Sequence, residues 1–315
     1  MSKRIAIIGA GITGMSSAFA LKGKGYEINI FAKAFSPNIT SNRAAAFWFP
    51  YHIRNDKRGI NWCRESYDFY HAMANVSTSG ISIQKLTKVL RNAVIEAEPI
   101  WVDFMPQGAM RTLPANELPA GVAKVYEVQV PLVETQLFLP YLQQELVKEG
   151  VQFFERTISS FNELTNQFDV VINCSALGSR TLCNDNKIIP VRGQVGLLEP
   201  VEQMDIYLDN EKPLYIVPRK DAIIVGGTYE ENIDEEITEP ETIQRLLNNA
   251  YETFPSLKNQ KVLGSWAGLR PYRPEVRVEA ETGTNIIHNY GHGGSGFTLA
   301  FGCAKDVAKL VEAIN

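Results

Sequence analysis

Gly9-Ala-Gly11-Ile-Thr-Gly14 near the N-terminus, Gly291-His-Gly293-Gly294-Ser-Gly296 near the C-terminus, and Arg270 between Leu269 and Pro271 are the residues whose types and spacing best suit chemistry. In the first set, Gly9 permits a tight turn, Gly11 lets a pyrophosphate reach the backbone, and Gly14 lets a helix pack closely on a strand. A dinucleotide cradle is one reading and a plain glycine turn the other. In the second set, glycine at this density sacrifices backbone entropy, which marks a place where the main chain approaches a ligand closely. A helix starting behind it offers unpaired N–H groups and a partial positive charge. Arg270 follows Trp266, Ala267 and Leu269, and a guanidinium held in apolar company needs an anion. Its planar fork suits a carboxylate bidentately, whether that of a bound acid or one of the chain's own 35 acidic side chains. Arg273 and Arg277 read as structural. No catalytic base is assigned. His288 and His292 flank the glycine loop without an Asp or Ser placed for a triad and without metal spacing, and His52 and His71 stand in polar surroundings.

The elements that must hold these groups follow from the flanking residues. Ile5-Ala-Ile-Ile8 is an apolar run of the buried parallel-strand type, and a helix through Met15, Ala18, Ala20 and Leu21 follows the glycine turn. Glu27 to Phe31 reads as a second strand, completing a βαβ opening. The segment Ala44 to Tyr51 is irregular and aromatic-rich. Thr135 to Glu149 reads as a helix ended by Gly150, with Pro140 kinking it or marking its true start. Val151 to Ile158 is expected as a strand leading to Phe161, and Phe168 to Cys174 as a buried strand closed by Ser175-Ala-Leu-Gly178. Gly193 to Leu198, Leu214 to Pro218 and Ala222 to Gly227 are expected as strands of a second sheet. Thr238-Glu-Pro-Glu241 predicts a capping box, with proline in the first turn, opening a helix to about Phe254. Asn285 to His288 reads as an apolar strand, and Phe297 to Ile314 as a small-residue helix. Nucleotide-domain pieces therefore recur at the beginning, middle and end of an α/β chain, with β-rich material between them. The expected division is 1–50, 135–185 and 285–315 against 51–134 and 186–284.

Composition narrows the partners. A chain of 315 residues with 45% hydrophobic and 21% charged residues is ordinary for a globular protein of this size. A net charge of -4 without a basic arm leaves no footprint for nucleic acid. No apolar run reaches the ~18 residues of a membrane span. The N-terminus passes from Lys3-Arg4 straight into a strand, unlike a signal peptide, and the chain closes Glu312-Ala-Ile-Asn315, unlike a peroxisomal address. The cysteines Cys63, Cys174, Cys183 and Cys303 lie far apart, which fits reduced thiols in a cytoplasmic protein.

Matching together and in order, the N-terminal glycine turn, Gly268-Leu-Arg-Pro-Tyr-Arg-Pro274 and the stretch His288 to Gly302 resemble the D-amino-acid oxidase family of FAD enzymes, from Arg4 to about Leu310. The resemblance implies a Rossmann-like FAD-binding domain interleaved with a β-rich substrate domain of mixed sheet and helices, with the substrate between them. The residues alone leave FAD and NAD open, because both use this fold. The glycine-rich C-terminal helix returning to the cofactor favours FAD, as does the want of a hydride-relay pair. By resemblance, Gly9, Gly11, Ile12 and Gly14 receive the dinucleotide, and Ser41, Arg43, Ala44, Ala45, Ala46 and Phe47 pass the flavin ring with backbone amides. Ile158 reads the adenine edge through its main chain, Ser175 and Gly178 form a turn beside the cofactor, and Gly293, Gly296, Phe297 and Thr298 lie at the flavin pyrimidine edge. Arg270 matches the arginine that binds the substrate carboxylate, Tyr215 and Tyr229 the two tyrosines that reach it, and Gly294 the carbonyl that accepts from the amine. Arg192-Gly-Gln194 is a further signature, read as architectural.

Three departures stand out. No carboxylate follows the second strand in Phe31-Ala-Lys33-Ala34, which leaves Lys33 either to approach a phosphate or ribose oxygen or to stand in solvent. Between Gln194 and Tyr215 the chain is shorter than in the vertebrate enzymes, with Glu211 where a lid tyrosine would fall, a pattern closer to the lid-poor fungal and bacterial type. Tyr229 stands where D-aspartate oxidases carry an arginine, and Arg219 is a second candidate anchor whose direction the sequence leaves open.

The expected activity is oxidative deamination of D-amino acids, neutral side chains preferred, to 2-oxo acids, ammonia and hydrogen peroxide by hydride transfer to flavin N5. D-amino acid and oxygen are then the partners; a homodimer stays open. The rivals are glycine, sarcosine or D-aspartate oxidase, a quinone-linked D-amino-acid dehydrogenase, and a nucleotide-binding protein without catalysis.

Overall fold

The computed structural model describes residues 2–91 and 99–314; Met1, residues 92–98 and Asn315, parts of the expected segments 1–50, 51–134 and 285–315, lie outside the described residues. The N-terminal apolar run forms β1 (Arg4–Ile8), buried except at Arg4. α1 (Ile12–Leu21) follows almost at once because Gly9, at φ +111°, takes a backbone conformation that side chains rarely tolerate. A methyl group on Gly9 would also overlap the Cys174 carbonyl. β2 (Glu27–Ala32) pairs parallel with β1 and completes the βαβ unit. α2 (Lys57–Met73), capped by Asp56 accepting from Gly59 N at 2.8 Å, leads to β3 (Ile81–Leu90), β4 (Met110–Thr112) and β5 (Lys124–Val133).

α3 (Thr135–Lys148) begins at Thr135, so Pro140 lies inside the helix and does not mark its start. β6 (Gln152–Glu155) is shorter than the strand expected over Val151 to Ile158. It is an edge strand paired with β2 alone, and β2 ends at Ala32, leaving nothing to pair with beyond Arg156. α4 (Asn162–Thr165), β7 (Val170–Asn173) and α5 (Ser179–Leu182) return the chain to the parallel strands. β8 (Ile189–Leu198), β9 (Ile206–Asp209), β10 (Leu214–Pro218), β11 (Ile223–Gly226) and β12 (Glu230–Glu231) come next.

α6 (Pro240–Thr253) opens on proline as expected, but the capping box does not form. Thr238 Oγ1 instead bonds Ser265 Oγ at 3.0 Å. Glu239 takes the cap position; its N–H donates to Gln194 Oε1 at 2.7 Å and its carboxylate accepts from Arg192 at 2.5 Å. β13 (Val262–Ala280), β14 (Ile286–His292) and α7 (Gly296–Ala313) complete the chain.

The expected second sheet is not separate. All the strands among the described residues form one 14-stranded sheet, ordered β4-β5-β3-β9-β10-β11-β8-β13-β14-β7-β1-β2-β6, with β12 added on β8. The 19-residue β13 is the reason. Its first part pairs antiparallel with β8 and its second part with β14, so it joins the antiparallel block to the parallel strands β14, β7, β1, β2 and β6. Beneath the parallel block, α1 and α7 touch through small residues, and Ser16 Oγ donates to Ala300 O at 3.1 Å. Phe301 of α7 stacks on Phe69 of α2 with ring centroids 3.5 Å apart, and Gly302 admits the Trp62 backbone. All four cysteines are free thiols, and burial pushes Cys174 up to about 12.

Candidate active site

A cavity of about 1580 Å³ opens where β1, β2 and β7 end, at Ile8, Ala32 and Cys174. It exceeds the roughly 300–1,000 Å³ of a pocket for one small ligand. The carboxyl ends of parallel strands are where an open α/β sheet takes a nucleotide. Gly9, Gly11 and Ile12 line it, with Ser175 and Gly178 from the turn after β7. Gly14 is not in the lining; a methyl group there would overlap the Gly9 carbonyl, so its role is the close packing read from the sequence. The first turn of α1 carries no acidic residue, and Gly11 caps it without a side chain. Ile12 N donates to Ser41 Oγ at 3.0 Å, which puts the Ser41 hydroxyl at the helix N-terminus.

Lys33 and Ile158 line the cavity together with Phe31, Ala32 and Ala34. Glu163 accepts from Ser159 N at 2.8 Å, Ser160 N at 3.0 Å and Arg156 at 2.7 Å, which fixes the loop presenting Ile158. Lys33 is exposed. Arg43, Ala44, Ala45, Ala46 and Phe47 supply another wall, and Gly293, Gly296, Phe297 and Thr298 the wall at the start of α7. A helix N-terminus without acidic side chains, a glycine-bearing turn and a dinucleotide-sized space suit an anionic dinucleotide such as FAD, which would lie on Gly9–Ile12 and pass between the two walls.

The remaining lining holds Tyr215, Tyr229, Arg270 and Gly294. Arg270, on β13, pairs across to Val191 of β8. Its guanidinium lies over Gly193, where any Cβ would overlap it. Nη1 donates to Thr228 O at 3.0 Å, and among the described residues no carboxylate comes within ion-pair distance. Tyr215 of β10 lies over Gly226 and Gly227, where a methyl group would overlap its ring. Burial pushes its hydroxyl up while the adjacent Arg270 charge and hydrogen bond pull it back.

Two neighbours were not singled out from the sequence. Tyr51 stacks on His52 at 4.2 Å between centroids, and His52 meets the Tyr229 ring edge-on at 5.2 Å. Ser295 Oγ donates to Tyr51 O and Thr298 Oγ1 donates to Phe49 O at 2.9 Å, so α7's first turn holds this aromatic segment in place. The aromatic run before Tyr51 was the available signal. His52 is accordingly not in simply polar surroundings. Burial, then the Arg270 charge, lowers its pKa below the usual value. Burial also pushes His292 down to about 4.

The other arginines turn elsewhere. Arg219 is absent from the lining and bonds Ala44 O, Thr135 Oγ1, Gln136 Oε1 and Asp221. Arg273 pairs with Asp185 at 2.9 Å, Arg277 with Glu279 at 2.7 Å, and Arg192 with Glu230 and Glu239, as structural residues would. Residues 210–213 alone join β9 to β10. Asp209 Oδ1 tightens this connection by accepting from Glu211 N and Lys212 N, each at 3.1 Å. Glu211 turns its carboxylate to Arg91 N at 2.6 Å.

The family model described as FAD dependent oxidoreductase matches residues 4–310. A D-amino-acid oxidase of Rubrobacter xylanophilus is 34% identical over 98% of this chain and 96% of its own. A human D-aspartate oxidase is 29% identical over 98% of this chain and 94% of its own. The crystal structure of glycine oxidase from Geobacillus kaustophilus superposes with a TM-score of 0.82 at 17% identity, covering 100% of this chain and 96% of that one. No helix among the described residues is long and apolar enough to cross a membrane. With a family model spanning almost its full length and a relative above 30% identity, this chain belongs to the D-amino-acid oxidase family of FAD-dependent oxidoreductases.

Proposed function

We propose that the protein oxidises neutral D-amino acids to the imino acids, which hydrolyse to 2-oxo acids and ammonia. The observation that carries this is Arg270, a cation with no carboxylate partner among the described residues, facing a dinucleotide-sized cavity beside the glycine loop. Bound FAD supplies two-electron acceptance from the amino acid Cα and re-oxidation by oxygen with release of hydrogen peroxide. The chain's own residues bind and orient. Arg270 takes the substrate carboxylate through its planar fork, and Tyr215 and Tyr229 donate their hydroxyls to the same group. Burial raises both phenols, so they stay protonated and able to donate at neutral pH. The Gly294 carbonyl accepts from the amine. His52 and His292, both lowered by burial, are neutral near pH 7 and add no charge that would compete for the carboxylate. No side chain is assigned as a base; orientation is the protein's contribution. Segments 1–50, 135–185 and 285–315 would serve the dinucleotide, and 51–134 and 186–284 the amino acid. Free cysteines throughout support a cytoplasmic setting.

The test is direct. The purified protein should carry flavin absorbance and release peroxide with D-alanine but not with L-alanine. Flavin reduction by D-alanine without oxygen uptake would point to a dehydrogenase instead.

A further inference from the structure

Three successive carbonyls, two of them from residues of the cavity wall, are held by donors outside the lining. Thr135 Oγ1 donates to Asn42 O at 3.1 Å, Trp266 Nε1 to Arg43 O at 3.1 Å, and Arg219 Nη1 to Ala44 O at 3.0 Å. None of the three donors belongs to the cavity lining, whereas Arg43, Ala44 and Ala45 do. Arg219 is the centre of this arrangement. Its side chain is 2% exposed and bonds Thr135 Oγ1 at 2.9 Å and Gln136 Oε1 at 3.0 Å. Asp221 and Glu134 balance its charge, and its guanidinium stands 5.8 Å from the Trp266 ring. One buried cation thus ties the start of α3, the turn after β10 and a strand of the sheet to the same short segment.

The consequence follows from peptide geometry. In a planar trans peptide the C=O of one residue and the N–H of the next point in opposite directions. With the carbonyls of Arg43 and Ala44 drawn back by Trp266 and Arg219, the N–H groups of Ala44 and Ala45 point away from those donors, toward the lining side. The Ala44 N–H closes the 3-10 turn over Thr40–Arg43, and the Ala45 N–H has no acceptor among the described residues. Both residues are half-buried at the cavity wall, where an N–H takes either water or an acceptor atom of a bound ligand.

We propose that Arg219, assisted by Trp266, is a positioning residue for the cofactor, aiming the Ala45 amide at an acceptor atom on the ring system of bound FAD. This rests on the FAD-binding function proposed above. Arg219 touches neither cofactor nor substrate. It acts through the orientation of one peptide segment, which also gives this arginine a role other than meeting a second substrate carboxylate.

The experiment measures dissociation constants of FAD and of ADP, which lacks the ring system, for the flavin-stripped protein. Arg219→Leu should weaken FAD by about tenfold or more and Trp266→Phe by roughly threefold or more, while ADP changes by less than about twofold in both. Trp266→Phe removes the N–H donor together with the five-membered ring of the indole, and the ADP constant reads out any packing damage, so this variant decides the matter if Arg219→Leu does not fold. Equal losses of FAD and ADP would mean general structural damage and overturn the proposal, as would unchanged FAD affinity in both variants. A wild-type protein that binds no FAD would instead sink the proposed function itself.

Discussion

With Thr228 O as its hydrogen-bond acceptor and Gly193 beneath it, the Arg270 guanidinium has an unmet demand for an anion that a substrate carboxylate would satisfy. Arg270→Ala should therefore lose about 2–4 kcal/mol in kcat/KM, mostly through KM, while the protein stays yellow. Near-normal kcat/KM in steady-state assays would remove Arg270 from the substrate. Tyr215→Phe and Tyr229→Phe should each lose less, on the order of 0.5–2 kcal/mol, because a neutral hydroxyl contributes less than a guanidinium. Loss of flavin reduction altogether in a folded, flavin-loaded Phe variant would require an acid or base that orientation alone does not need. Arg270 and the two tyrosines were legible as cavity residues through resemblance to short motifs. Tyr51 and His52 were not, because their place beside Tyr229 depends on Ser295 holding the Tyr51 carbonyl across 244 residues of chain. The direction of Arg219 was equally unreadable, since its partners Ala44, Thr135 and Gln136 come from other parts of the sequence.

Strand β8 shapes the Arg270 end of the cavity by what it leaves out. Gly193 pairs with Gly268 of β13, and the missing side chain is the space the Arg270 guanidinium fills. Gly193→Ala should displace that guanidinium and raise KM for D-alanine by about tenfold or more, with flavin content unchanged. Unchanged KM would mean that Arg270 works from another position. Most elements were legible from apolar runs: the strand expected over Leu214 to Pro218 is the observed one, and the βαβ opening differs only by single residues. Elements defined by their neighbours were not. The strand after Gly150 stops where β2 gives it no partner, and Thr238 abandons its helix for Ser265 on β13. The second sheet disappears for a similar reason, because a single 19-residue strand pairs on both sides of the expected boundary.

At the scale of the whole molecule, burial of neutral histidines makes stability depend on pH. His292 is 7% exposed, its Nε2 finds no partner among the described residues, and its pKa falls from 6.5 to about 4. The unfolded chain then binds a proton more readily than the folded one between those values. The stabilisation is complete above about pH 6.5 and is lost as pH falls toward 4, up to about 3 kcal/mol for this residue. His288, also lowered by burial, acts in the same direction. Thermal unfolding followed from pH 8 to 4 should show Tm dropping below pH 6.5, with a shallower drop in His292→Gln; parallel slopes would exclude this histidine as the cause. Substrate choice is a whole-cavity property as well. Arg219 is spent on Ala44, Thr135, Gln136 and Asp221, and Tyr229 is uncharged, so neither offers a cation to a second substrate carboxylate, which left unpaired would cost several kcal/mol. The most direct measurement of the central claim is peroxide release by the purified protein with D-alanine, D-phenylalanine, D-aspartate and D-glutamate under one set of conditions. Neutral D-amino acids should exceed the acidic ones by at least about tenfold in kcat/KM. A higher value for D-aspartate or D-glutamate would contradict the account of this pocket, and no peroxide with any of the four would contradict the oxidase function itself.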